Sequence, residues 1–266
     1  IKEQYKRQMG NLWPKSAGTR GIFAGGMTPT TIDVIQYVTI STAGNSTDFG
    51  DLTGSNHQNQ FGGMASSTRG VRCGGEPQST VIDYITIAST GNAADFGDLT
   101  EAKGYASLAS NSIRGLRAGG QPSTSDVIDY ITIASTGDAI DFGNLIAAVG
   151  GGMAPMSSPT RAIFGGSAPG LTDVLQFVEI AALGNAVDFG DMTEGTKYAA
   201  GCASSTRGLR MGGMVPGSPY NSNVIDYITM ATKGNSANFG DLTVVRGTMS
   251  GTSNSVRGIC GGGSDP

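Results

Sequence analysis

Histidine and cysteine are almost missing from this chain. His57 is the single histidine, and Cys73, Cys202 and Cys260 stand far apart with no Cys-x-x-Cys pair. A structural zinc site or a disulfide framework is therefore not expected, and neither is any other metal site. Most nucleophile–base pairs also need a histidine close at hand, so catalysis of that kind is unsupported. Charge is sparse: 14% of residues are charged, with 17 Lys+Arg against 21 Asp+Glu and a formal charge of −4. Nucleic acid is not an expected partner of such a surface. Aromatic residues make up only 7%, and no apolar run reaches the length of a membrane-spanning helix, so no membrane insertion is expected. The sequence opens at Ile1 without the basic, apolar and small-residue blocks of a signal peptide, which reads as a processed or trimmed start. Composition argues against an enzyme and implies no cofactor.

What is abundant is glycine, 43 residues of 266, and it recurs in phrases. Asp-Phe-Gly occurs at residues 48–50, 95–97, 141–143 and 188–190, and a fifth copy reads Asn238-Phe239-Gly240. The phenylalanines lie 47, 46, 47 and 50 residues apart. Twelve residues before each stands another aromatic, giving the pairs Tyr37/Phe49, Tyr84/Phe96, Tyr130/Phe142, Phe177/Phe189 and Tyr227/Phe239. A second phrase, Arg-Gly-x-x-x-Gly-Gly, begins at Arg20, Arg69, Arg114, Arg207 and Arg257, with a shortened version at Arg161.

Each unit reads as four short strands. Strand a is a run of small residues such as 105–110, and strand b is the Arg-Gly phrase. Strand c is β-branched and aromatic, as in 81–87, and strand d carries Asp-Phe-Gly-Asp-Leu. Gly-Asn or Gly-Asp between c and d tolerates positive φ and suits a hairpin turn. Four strands every 46 to 50 residues, without a helical period, is the arithmetic of a β-propeller blade. The paired aromatic columns are expected to form the structural core between blades. The expected fold is all-β, a propeller over residues 10–266 behind an N-terminal arm, 1–9. Its units run about 10–53, 54–100, 101–145, 146–193 and 194–243, with a partial unit at 244–266. Five c–d pairs against six b strands leave the number of blades, five or six, open.

The Gly-Gly pair ending strand b, the aromatic in strand c and the aromatic near the end of strand d resemble kelch repeats, with Phe where kelch has Trp. The phrases Ser-Thr-Arg-Gly, Val-Ile-Asp-Tyr-Ile-Thr-Ile-Ala-Ser-Thr and Gly-Asn-Ala-Ala-Asp-Phe-Gly-Asp-Leu-Thr are similar to kelch-like repeats of marine and cyanobacterial bacteriophages. That resemblance implies a virion-associated protein of a tail, neck or fibre, located on the phage particle as part of a larger assembly. Its partners would be other virion proteins or host cell-surface polysaccharide. A lectin-like propeller outside any virion is the alternative, and a hydrolase or oxidase on the same scaffold is a third reading.

The repeats differ most between strands b and c. The distance from arginine to aromatic runs 17, 15, 16, 16 and 20, whereas the aromatic-to-Phe distance never changes. Variable loops on a fixed scaffold are where binding is expected. The candidate binding residues are Glu76, Gln78 and Gln121 in two of these loops, and Pro216, Pro219, Tyr220 and Asn221 in the longest. The repeated Asx residues of Gly-Asn-x-x-Asp-Phe-Gly-Asp read as turn caps rather than a calcium site. The Arg-Gly arginines are expected to pair with Asp83, Asp129 or Asp226 of strand c, or with carboxylates of neighbouring blades.

Overall fold

A computed structural model describes residues 11–12, 20–26, 32–54, 61–217 and 220–264. The expected arm, Pro219 and His57 lie outside the described residues. Every regular element among those described is a β-strand. Five sheets are each wound in the order a-b-c-d. Blade 3 is representative: Ser107–Ser110, Arg114–Ala118, Ser125–Thr132 and Ile140–Val149, each antiparallel to the next. The chain is a β-propeller of five four-stranded blades.

The sequence dictates this layering through size. Strand a is Ser107–Ser110 in blade 3, Ala154–Ser157 in blade 4 and Ala200–Ala203 in blade 5, and all four residues of each are buried. Backbones approach so closely here that a Cβ on Gly201 would stand 2.1 Å from the carbonyl oxygen of Pro155. Strands c supply the bulk: Ile82, Ile128 and Leu175 are fully buried. The conserved spacing of the c–d pair has a geometric cause. The aromatic of c meets the Phe of d edge-to-face in every blade, at 6.1, 5.9, 6.0, 5.7 and 6.2 Å between ring centroids.

Successive blades are joined by one repeated set of contacts. Phe49 of blade 1 packs with Ala65, Ile85 and Ile87 of blade 2. Phe96 packs with Ile131 and Ile133, Phe142 with Val178 and Ile180, and Phe189 with Ile228 and Met230. The next blade's c–d turn then clasps the d strand. Gly91, Gly137, Gly184 and Gly234 donate N–H to the carbonyls of Phe49, Phe96, Phe142 and Phe189, at 2.7 to 3.0 Å. The Asx residue that follows accepts from the backbone: Asp51 N–H to Asn92 Oδ1, Asp98 to Asp138, Asn144 to Asn185 and Asp191 to Asn235. The Asp-Phe-Gly glycine is required there, since a Cβ on Gly97 would lie 2.5 Å from the Gly137 backbone.

The question of five blades or six resolves to five, with a spare a–b pair. The last strand of blade 5 runs on as Ala237–Ser253, and its second half pairs with Gly258–Ser264 to form an a–b hairpin. This hairpin holds the place of a sixth blade. Its Ser253 hydroxyl donates to Ala203 O of blade 5 at 2.7 Å, and its Arg257 donates to Ile40 O of blade 1 at 3.2 Å. Phe239 therefore differs from the other four phenylalanines of the aromatic column. It is 51% exposed where they are 2%, because no c strand of a following blade covers it among the described residues.

The arginines correct the expected pairing. Arg20, Arg69, Arg114 and Arg161 do not reach the strand-c aspartates. Each lies over the aromatic of its own strand c, 4.6 to 4.9 Å from the centroid. Each also donates to a main-chain carbonyl of the next blade: Ile87, Ile133, Ile180 and Met230. The aspartates pair instead with the arginine three residues further on, Arg72 with Asp83, Arg117 with Asp129 and Arg210 with Asp226. An odd offset along a strand turns a side chain to the opposite face, which is where those aspartates lie.

Candidate functional site

Loops b–c and d–a open on one face, and their backbones are tied together. Gly104 and Gln121 exchange hydrogen bonds at 3.0 and 2.9 Å, as do Lys197 and Met214 at 3.1 and 2.8 Å. The carboxylates bordering these loops are engaged from below. Glu101 Oε1 accepts from Arg117 at 3.0 Å and from the Ser125 hydroxyl at 2.7 Å. Glu194 Oε1 accepts from Arg210 at 2.9 Å and from Ser222. Burial raises Glu101, but the Ser125 and Arg117 hydrogen bonds outweigh it and hold the carboxyl below its ordinary range. Asp83 and Asp129 go the other way, because burial exceeds the help from Thr53 and Thr100 and from their arginines.

The candidate residues are spread over this face. Gln78 donates to Glu76 Oε2 at 2.7 Å, in the loop of blade 2. Gln121 is half-buried between blades, with its backbone held by Gly104. Pro216 is exposed, and Tyr220 is 69% exposed, its carbonyl accepting from Val215 N–H at 2.8 Å. Asn221 is 4% exposed and turned inward, donating from Nδ2 to Ser264 O at 2.9 Å. Its role is to anchor the sixth-position hairpin.

Sequence reasoning missed two residues at the centre of this face. Tyr105 and Tyr198 lie two residues before strands a of blades 3 and 5, in left-handed backbone with φ of 60 and 57. They belong to a rung of hydrogen bonds from blade to blade: Gly152 N–H to Tyr105 O, Tyr198 N–H to Gly152 O and Thr248 N–H to Tyr198 O, at 3.0, 2.7 and 2.9 Å. Their rings meet at 6.0 Å with a tilt of 42°. The Lys197 ammonium stands 5.4 Å from the Tyr198 ring. Burial, then Tyr105, push the Tyr198 hydroxyl above its ordinary value, so it is a neutral donor. One signal could have found them. Four of the eight tyrosines fill the strand-c column, and these two break it.

Chemically, the face offers two adjoining aromatic rings, an ammonium group and a rim of amide and hydroxyl groups. Among the described residues, no three His, Cys, Asp or Glu side chains converge as a metal site. The Asx residues of the c–d turns act as inter-blade caps, on the opposite face. No family model matches the chain, and no curated protein matches it either.

Proposed function

We propose that this propeller is a non-catalytic component of a phage particle whose loop face binds host-surface polysaccharide. The observation that carries the binding reading is the Tyr105–Tyr198 pair on the loop face, with Lys197 beside it and the exposed Tyr220 next to Asn221, which bridges to the Met214 that Lys197 pairs with. Aromatic faces edged by neutral hydrogen-bonding groups suit the alternating apolar and hydroxyl surfaces of a sugar ring. The virion assignment is supported by the resemblance of the repeats to phage kelch-like sequences. The absence of catalysis is supported by the pairing of Glu101, Glu194 and the buried aspartates with arginines.

The test is binding of the recombinant chain to host cells and to their extracted surface polysaccharides. Tyr105→Gly/Tyr198→Gly keeps the left-handed backbone that Gly152 adopts at the equivalent position, so the fold should persist. Loss of both rings should weaken glycan binding roughly tenfold or more. Saturable binding that this variant and a shortened 214–223 loop both leave intact would move the site off the loop face. Absence of the protein from purified particles would remove the virion part and leave a free lectin.

A further inference from the structure

The loop face carries three residues that the fold itself does not ask for. Gly152 and Thr248 hold the left-handed position that Tyr105 and Tyr198 hold in blades 3 and 5. A bulky side chain is disfavoured in that conformation, and Gly152 shows that glycine serves the backbone rung equally well. The two rings also need the glycine between them, since a Cβ on Gly152 would stand 2.4 Å from Tyr198 Cδ1. The third residue is Lys197. Just before the left-handed position the other repeats carry Gly104, Gly151 and Gly247, so a lysine is no requirement of the turn. Its backbone is fixed by two hydrogen bonds to Met214, and its ammonium lies 5.4 Å from the centre of the Tyr198 ring.

The other cations bordering these loops are already engaged. Lys103 is buried, its ammonium held by Ser123 O and Oγ at 3.1 and 3.2 Å and by Glu101 at 3.6 Å. Arg117 and Arg210 pair with Glu101 and Glu194, and Arg246 donates to Gly262 O at 3.1 Å. Lys197 has no carboxylate within 4.0 Å among the described residues, because the nearby Glu194 faces Arg210 and Ser222 instead. A glycan resting on the tyrosines would shield this ammonium from water. A neutral one would leave it desolvated and unpaired, whereas an anionic one supplies the missing countercharge. Glu76 stands at the other end of the pair. Its Oε2 would lie 3.0 Å from a Cβ on Gly104, the neighbour of Tyr105, and it accepts from Gln78. A carboxylate is repelled there, while sugar hydroxyls can donate to it.

We infer that the loop-face site selects an acidic saccharide. A uronate-type ring lies over Tyr198 with its carboxylate on the Lys197 ammonium, and an uncharged neighbour lies over Tyr105, beside Glu76. A carboxyl borne on the sugar ring itself brings its charge within reach of an ammonium so close to the tyrosine. The inference rests on the glycan-binding reading of this site and adds the class of sugar to it.

The probe is surface polysaccharide extracted from host cells, used untreated and after chemical reduction of its carboxyl groups to primary alcohols. Binding of both preparations to the 266-residue chain is followed by calorimetric titration at low and high salt. Reduction should weaken binding at least about tenfold, since a charge-assisted hydrogen bond is lost. Lys197→Met keeps the apolar stem and removes the charge. It should weaken binding of the untreated preparation by a similar factor, leave the reduced one unchanged, and abolish the salt dependence. Lys197→Arg should restore binding of the untreated preparation. Equal or tighter binding of the reduced preparation, or indifference of the untreated one to Lys197→Met, would overturn the acidic class. The tyrosine pair would then remain a glycan site as long as Tyr105→Gly/Tyr198→Gly still weakens binding. No saturable binding of either preparation, or binding untouched by that double variant, would overturn both readings together.

Discussion

Phe96 and Phe239 occupy the same place in the repeat, follow the same twelve-residue spacing and meet the same edge-on tyrosine, yet one is buried and the other is half in solvent. The difference lies wholly in the neighbour. Phe96 is covered by Ile131 and Ile133 of the next blade, whereas no equivalent strand follows Phe239 among the described residues. A blade of this protein is thus only half a packing unit, and its outer strands acquire their burial from the blade that comes next. This nearest-neighbour logic is that of repeat proteins in general.

The comparison is sharpest in a pair of alanine substitutions. Phe96→Ala should cost about 3–5 kcal/mol as a large-to-small change in a packed core. Phe239→Ala should cost under about 1 kcal/mol, since about half of the residue is already exposed. Urea unfolding of the two variants checks both, and equal losses would break the distinction between filled and open junctions. A smaller contrast should separate Arg114→Ala from Arg207→Ala. Both lose the stacking on tyrosine, but only the first also loses a hydrogen bond to the next blade, at Ile180 O, a difference of about 1 kcal/mol or more.

The filled junctions also carry charge that responds to pH. On strand d of blade 2, facing Arg117 and Ser125 of blade 3, the Glu101 carboxyl is held below its ordinary value, so its contribution to stability is present above the unfolded pKa of about 4.3 and is lost as pH falls through the lower folded value. Asp83 and Asp129 are raised, so each favours the fold most below about 3.9, and that contribution disappears as pH rises through the folded value. Glu101→Gln should therefore destabilise modestly at neutral pH, by under about 1 kcal/mol for a partly exposed group, and the penalty should vanish in acid. A penalty that grows as pH falls would reverse the assignment.

The thiols give the smallest effect. Burial pushes Cys73 and Cys202 up to about 12 and raises Cys260 as well, but only Cys260 is partly exposed, on the sixth-position hairpin. A thiol reagent at mildly alkaline pH should therefore modify Cys260 first, and slowly.

Much of this fold was legible because the c–d pair is a rigid packing module: the fixed distance from Tyr84 to Phe96 reflects one ring meeting another across a tight turn. The blade number was not legible from residues 244–266. Whether a lone a–b pair closes the ring or opens a new position depends on reach between Arg257 and Ile40, which are 217 residues apart. The arginine pairing was misread through attention to the most repetitive arginine, although strand parity already put Arg72 rather than Arg69 opposite Asp83. At the candidate site the longest loop was visible by its length. Tyr105 and Tyr198 were hidden because their φ values place them outside strand a, where a linear reading had counted them.

Hydrogen exchange at the turn glycines tests the open junction most directly. The amides of Gly137 and Gly184 donate to Phe96 O and Phe142 O, whereas the Gly44 amide has no such acceptor among the described residues. Strong protection at Gly137 and Gly184 with rapid exchange at Gly44 is the predicted result. Protection at Gly44 equal to theirs would mean that this junction is filled like the others.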